Sequence, residues 1–266
     1  MEAEAISHAA GKLRDAYRTR VPMDPIIDEF PDADITDAYR IQQEQVRHWL
    51  AGGATIKGHK VGLSSLAMQR QMGVHQPDYG HLLSDMFHLE HLPFDVGGFL
   101  QPRIEPEIAF VLGGELRGPG VTVADAMRAV EFVVPALEIV DSRITDWRIS
   151  IVDTIADNAS SSGVVLGSKP TRLDALDLRT AGCTFHINGE LRATGAGGAV
   201  LGSPINALVW LANTLGPLDI ALEPGHVVLP GSMTRAAPVA AGDTVVSDMG
   251  ALGSVTAVLA PEAAPQ

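Results

Sequence analysis

Two hydrophobic periods run along this chain, and they change over near residue 81. Residues 4 to 18 place Ile6, Ala9, Ala10, Leu13 and Tyr17 on one helical face, with acids early and Lys/Arg late as the helix dipole prefers. A connector holding Pro22 and Pro25 follows. A second helix is predicted to open at Asp34 as N-cap, to run through Ala38, Ile41, Val46 and Trp49, and to stop at Gly52-Gly53. A short strand-like stretch from Thr55 to Leu63 leads to Ser64, which is expected to cap a helix ending at Gly73. Pro77-Asp78-Tyr79-Gly80 reads as a turn. From about residue 81 the pattern becomes short β-prone runs punctuated by Gly and Pro. The expected class is α+β, with a helical N-terminal region over 1–80 and a β-rich domain over 81–266.

Within the second part, Thr122 to Asp125 reads as a capping box that starts a helix to about Val130. Asn188-Gly189 between β-prone arms predicts a hairpin, and Ser203-Pro204 starts a helix that Gly216 ends. Strands are expected over 227–229, 244–247 and 255–259, and Cys183 is expected to be a packed strand residue.

The pattern is broken where acids interrupt apolar runs. Arg103-Ile-Glu105-Pro-Glu107-Ile-Ala-Phe110 sets two carboxylates two residues apart, so an extended backbone points both from one face. Phe132 to Val140 is an apolar run holding one acid, Glu138. Buried like charges repel unless a cation stands between them, and three carboxylates make a hard-oxygen site suited to Mg²⁺ or Mn²⁺. The other reading puts Glu105 and Glu107 on the outer face of an edge strand, which Pro106 favours, with Glu138 paired to Arg103 or Arg143.

Composition narrows the choice. With 266 residues, 46% of them hydrophobic, the chain can bury a sizeable core as one large or two modest domains. A formal net charge of −13 argues against nucleic acid or an anionic membrane as partner. No apolar run is expected to span a bilayer, the N-terminus does not read as a signal peptide, and the single cysteine agrees with a reducing compartment, so the protein is expected in the cytoplasm. The nine histidines show no zinc-hydrolase spacing, and neither a GxSxG elbow nor a P-loop is present. Lys60 and Asp78 sit near element ends. Asp157 to Gly163 and Pro230 to Thr234 are polar, glycine-containing exits able to hold an anion or simply to make loop hydrogen bonds.

Six ordered motifs then carry a resemblance. They are Gly58-His-Lys60-Val-Gly-Leu-Ser64, Pro77-Asp78-Tyr-Gly-His-Leu82, the Arg103 to Phe110 run, Glu138-Ile-Val-Asp-Ser-Arg143, Asp153-Thr-Ile-Ala-Asp-Asn-Ala-Ser-Ser161 and Gly242-Asp-Thr244. Over about Gly58 to Ser254 the chain resembles the 2-keto-4-pentenoate (2-hydroxypentadienoate) hydratases, which stand beside the 4-oxalocrotonate decarboxylases in the fumarylacetoacetate hydrolase-like superfamily. The resemblance implies a mixed β-roll, a homo-oligomer (pentamer or decamer) and hydration of 2-hydroxypenta-2,4-dienoate to 4-hydroxy-2-oxopentanoate in a meta-cleavage pathway, beside a downstream aldolase. It implies Glu105, Glu107 and Glu138 as ligands of Mg²⁺ or Mn²⁺, and Lys60 and Asp78 as proton-transfer groups. Ser160, Ser161 and Ser232 match substrate-holding positions. Arg235 departs from the pattern, standing where a small or apolar residue is expected, and would suit a second carboxylate, as in the alternative decarboxylase of a 2-oxo-3-enedioate. A carbon–carbon hydrolase would need a His/Glu pair that His59, His75 and His81 do not supply.

Overall fold

The computed structural model describes residues 1–262. In chain order its helices are α1 (Ala3–Thr19), α2 (Ile26–Glu29), α3 (Ile35–Ala51), α4 (Leu66–Met72), α5 (Val123–Ala129), α6 (Ile151–Ala156) and α7 (Pro204–Leu215). Its strands are β1 (Ile56–Gly62), β2 (Asp78–Leu83), β3 (Phe87–His88), β4 (Pro93–Phe94), β5 (Arg103–Leu112), β6 (Val130–Val140), β7 (Ser161–Leu166), β8 (Gly182–Ile187), β9 (Glu190–Ala196), β10 (Val227–Leu229), β11 (Ala237–Pro238), β12 (Thr244–Asp248) and β13 (Ser254–Leu259).

Two mixed sheets form the β-roll. The larger runs β2-β1-β10-β5-β6-β7-β3, with β11 added to β5, and the smaller runs β4-β13-β12-β8-β9. Strand alternation on β5 and β6 sorts the two faces of the larger sheet. Ile104, Leu137 and Ile139 turn to the smaller sheet and meet Phe185, Ile187, Val245, Val255 and Leu259. Farther along that face Ile108, Phe110 and Val133 pack under Leu208, Leu211 and Leu215 of α7. The opposite face carries Glu105, Glu107 and Glu138 beside a floor that includes Leu82, Ala109, Val134, Ala136, Val164 and Leu229.

The N-terminal helices form their own cluster, in which Ile6, Leu13, Ile26 and Ile41 pack with Ile144, Val152 and Ile155. Asp34 caps α3 in a reciprocal box with Asp37, Thr122 does the same for α5 with Asp125, and the Asn188-Gly189 hairpin joins β8 to β9. By length and composition Gly197–Leu218 could cross a membrane, unlike the sequence-based expectation, but α7 in its middle buries Ala207, Leu208, Leu211, Ala212 and Leu215 in the core.

Three local expectations are corrected. Ser65, not Ser64, caps α4, because Ser64 is buried against Gly231, where an added Cβ would fall 1.8 Å from its Oγ. Pro77 to Gly80 is no turn: β2 starts at Asp78 and is buried throughout, with Tyr79 stacked on Tyr39. Residue 80, the expected end of the helical region, thus falls inside a strand, and both β1 and β2 pair into the larger sheet.

Candidate active site and metal centre

β5 is an interior strand, paired to β10 and β11 on one side and β6 on the other, so the edge-strand reading of its glutamates does not hold. The β5–β6 register sets Glu105 opposite Glu138, and Glu107 follows two residues on along the same face. Ligand oxygens of the three all lie within 4.8 Å of one another. Glu107 and Glu138 are buried and Glu105 is half-buried.

Such crowding leaves a clear electrostatic mark. Burial first, then Glu138, pushes Glu105 up to about 7. Burial with Glu138 and Glu105 raises Glu107 well above the carboxylate range, although its Oε2 accepts the Gly231 N–H at 2.7 Å. Burial also raises Glu138, and Lys60 opposes the shift. Among the described residues, Oε1 of Glu107 and both oxygens of Glu138 are buried without a hydrogen-bond partner. Orphaned oxygens on an all-carboxylate donor set fit a hard divalent cation, so the three glutamates can hold one.

Lys60 reaches this cluster from β1. Its Nζ lies 3.3 Å from Oε1 of Glu138 and donates to the Ala159 carbonyl at 3.0 Å. Arg143 pairs instead with Asp157 and Asp141, while Arg103 lies over the Trp147 ring, so neither is the partner of Glu138. Burial alone would lower the Lys60 ammonium, yet Glu138, Asp78, Glu105 and Glu107 outweigh it and hold the group charged.

Asp78 enters from β2, and burial raises its carboxyl against the pull of Lys60. Its Oδ1 has no hydrogen-bond partner among the described residues and sits over Gly62, where a Cβ would come within 2.1 Å. His59 and His81 point away from Lys60, to the opposite sheet face, with ring centroids 4.9 Å apart.

The serines divide. Ser160 is buried with Oγ 3.4 Å from that of Thr154, and Ser161 buries an Oγ that has no hydrogen-bond partner among the described residues. Ser232 is half-buried near Pro106 and receives the Thr234 N–H at 3.2 Å. Arg235 is exposed and makes no ion pair among the described residues; its loop is fixed to β5 at Pro106 and Ile104 on either side. The residues that sequence reasoning passed over act through backbone or small size: the Gly231 amide, the Ala159 carbonyl and Gly62. Such groups leave no side-chain signal to read.

Comparison with known proteins places this geometry. The fumarylacetoacetate (FAA) hydrolase C-terminal family matches residues 83–260. A 2-oxo-hept-4-ene-1,7-dioate hydratase of Escherichia coli is 43% identical over 93% of this chain and 95% of its own. A 2-keto-4-pentenoate hydratase of Paraburkholderia xenovorans is 43% identical over 93% and 92%. Among solved structures, a 4-oxalocrotonate decarboxylase from Pseudomonas putida G7, complexed with magnesium and adipate, superposes with a TM-score of 0.94 at 34% identity, over 97% of this chain and 98% of that one. The chain therefore belongs to the fumarylacetoacetate hydrolase family, within its 2-keto-4-pentenoate hydratase branch.

Proposed function

We propose that this protein is a metal-dependent hydro-lyase that adds water to 2-hydroxypenta-2,4-dienoate, or a substituted analogue, giving 4-hydroxy-2-oxopentanoate or its counterpart. The observation that carries the reading is the convergence of Glu105, Glu107 and Glu138 within 4.8 Å, with Lys60 on Glu138, in a chain related throughout to hydratases.

Glu105, Glu107 and Glu138 would hold Mg²⁺ or Mn²⁺, which when bound supplies Lewis-acid stabilisation of negative charge on the substrate's 2-oxygen. Protonation at C5 and loss of the 2-hydroxyl proton convert the dienol to a 3-en-2-one that is electrophilic at C4. Water then bonds to C4, one of its protons leaves, and C3 gains a proton. Two buried proton-carrying groups, Lys60 and Asp78, stand beside the carboxylates for these transfers. The raised carboxyl of Asp78 suits a base that must release its proton again, and Lys60 is assigned as the second proton-transfer group from its place beside Glu138. Ser160, Ser161 and Ser232 are assigned to hold the substrate carboxylate, and the buried Ser161 Oγ, without a hydrogen-bond partner among the described residues, supports this.

The assay follows enzymatically generated 2-hydroxypenta-2,4-dienoate by ultraviolet absorbance with Mg²⁺, Mn²⁺ or EDTA and weighs the product. Metal-dependent loss of the dienol with gain of one water is expected. A second reading, decarboxylation of a 2-oxo-3-enedioate, draws on the likeness to the decarboxylase structure and on the exposed Arg235, which would receive the second carboxylate. Carbon dioxide release from 2-oxohex-3-enedioate, with no turnover of the pentadienoate, would select it. We further propose a cytoplasmic homo-oligomer, for which light scattering is expected to give the mass of a pentamer or decamer. Its 4-hydroxy-2-oxo product is an aldol, so an aldolase is the natural next enzyme.

A further inference from the structure

Between α6 and β7 three consecutive non-glycine residues, Asn158, Ala159 and Ser160, have φ of 53, 51 and 56°. Left-handed backbone is unfavourable for a residue with a Cβ, so the run persists only where its surroundings over-determine it. Two sets of contacts do so. On one side Asp157 accepts from the Arg143 N–H at 2.9 Å and its Nε at 2.7 Å, while Ser160 accepts the Asp141 N–H at 2.9 Å. On the other, the Asn158 side chain pairs with the backbone of His81, its Oδ1 accepting the N–H at 2.8 Å and its Nδ2 donating to the carbonyl at 2.9 Å.

That second contact has the form of a ladder pair. β2 is the end strand of the larger sheet, and one carboxamide takes the place of the missing neighbour. Gly80 lets the turn close in, since a Cβ there would lie 2.3 Å from the Asn158 carbonyl oxygen. Gly80 is also the cross-strand partner of Lys60. Clamp, turn and lysine therefore share one register, and the product of the turn is the Ala159 carbonyl 3.0 Å from Lys60 Nζ.

We infer that Asn158 is a positioning residue for Lys60: by clamping the left-handed turn to the free edge of β2, it aims the Ala159 carbonyl that fixes the ammonium against Glu138. The inference rests on the hydratase reading, because it needs Lys60 to act on the substrate. A purely structural clamp would alter folding without acting through the lysine.

The test is a double-mutant cycle on the Mg²⁺-loaded enzyme with 2-hydroxypenta-2,4-dienoate. In Asn158→Gly the left-handed backbone is unstrained, so the change removes the clamp alone. Its kcat is expected to fall on the order of 10- to 100-fold with KM nearly unchanged, and the same change in a Lys60→Met background is expected to add no further loss. Hydrogen exchange at the His81 amide should rise in the folded variant. Parent kcat in Asn158→Gly, or an equal factor in both backgrounds, would overturn the inference. Should Asn158→Gly not fold, Asn158→Ser shortens the side chain so that it no longer spans both backbone groups of His81, without adding charge; a loss confined to the Lys60 background is expected, and no loss or an additive one overturns the inference. Lys60→Met turning over at the parent rate would overturn both this and the role of Lys60 in the hydratase reading, whereas a slow Lys60→Met with additive Asn158 effects overturns only the clamp.

Discussion

Nζ of Lys60 lies 3.3 Å from Oε1 of Glu138, and both side chains are buried. One ammonium thus stands against three glutamates and Asp78. Breaking a buried pair by removing one partner costs about 3–5 kcal/mol. Lys60→Met is expected to melt well below the parent in EDTA, to regain part of the difference with Mg²⁺, and to turn over about 100-fold slower or worse. A parent-like melting temperature in EDTA would show that Lys60 does not neutralise the site.

Glu107→Gln keeps an acceptor for the Gly231 N–H and removes a carboxyl whose ionised form burial, Glu138 and Glu105 disfavour. Metal-free protein is therefore expected to gain stability while Mn²⁺ affinity, read by calorimetric titration, drops by at least about tenfold. Unchanged Mn²⁺ affinity would exclude Glu107 as a ligand.

Glu105 sets a pH dependence whose sign follows from its raised pKa of about 7. The folded protein keeps a proton that the unfolded chain releases in the usual carboxylate range, so this stabilisation is complete below that range and is lost as pH rises through about 7. His81, lowered to about 4 by burial, acts oppositely, losing stability as pH falls from its usual value of 6.5 toward 4. Subtracting a Glu105→Gln melting curve isolates the glutamate: without metal, the parent should lose stability relative to the variant between about pH 5 and 8, and Mg²⁺ should reverse the trend. A flat difference would mean that Glu105 is ionised throughout.

Gly62→Ala places a Cβ 2.1 Å from Oδ1 of Asp78. The carboxylate is the movable partner, so the side chain should swing away while the strands stay. A kcat loss on the order of 10- to 100-fold is expected with little change in melting temperature. Full activity would remove Asp78 from the chemistry.

Arg235 is an exposed cation on a loop fixed to the glutamate strand. Arg235→Ala is expected to raise KM for 2-oxohept-4-ene-1,7-dioate about tenfold and to leave that for the pentadienoate unchanged, because only the former offers a second carboxylate. Equal effects on both would place Arg235 away from the distal end of the substrate.

Local chemistry sufficed for much of this protein. Helix faces such as Ile6 to Leu13, the caps at Asp34 and Thr122 and the Asn188-Gly189 turn depend on neighbours a few residues away, so they could be read from the chain alone. The spacing of Glu105 and Glu107 fixed their common face for the same reason. Which face was buried, and by what, needed the sheet: Pro106 suggested an edge, and only pairing to β6, β10 and β11 made β5 interior. The partner of Glu138 was likewise a tertiary decision, since Lys60 is brought to it across two intervening strands while the arginines nearer in sequence are held by Asp157, Asp141 and Trp147. Pro77 to Gly80 has the composition of a turn, yet Asp78 to Gly80 lie in a strand, where Tyr79 stacks on α3 and Gly80 admits the Asn158 turn. Long-range backbone contacts of this kind, the Ala159 carbonyl on Lys60 and the Gly231 amide on Glu107 among them, have no residue type of their own, and so only the folded chain could specify them.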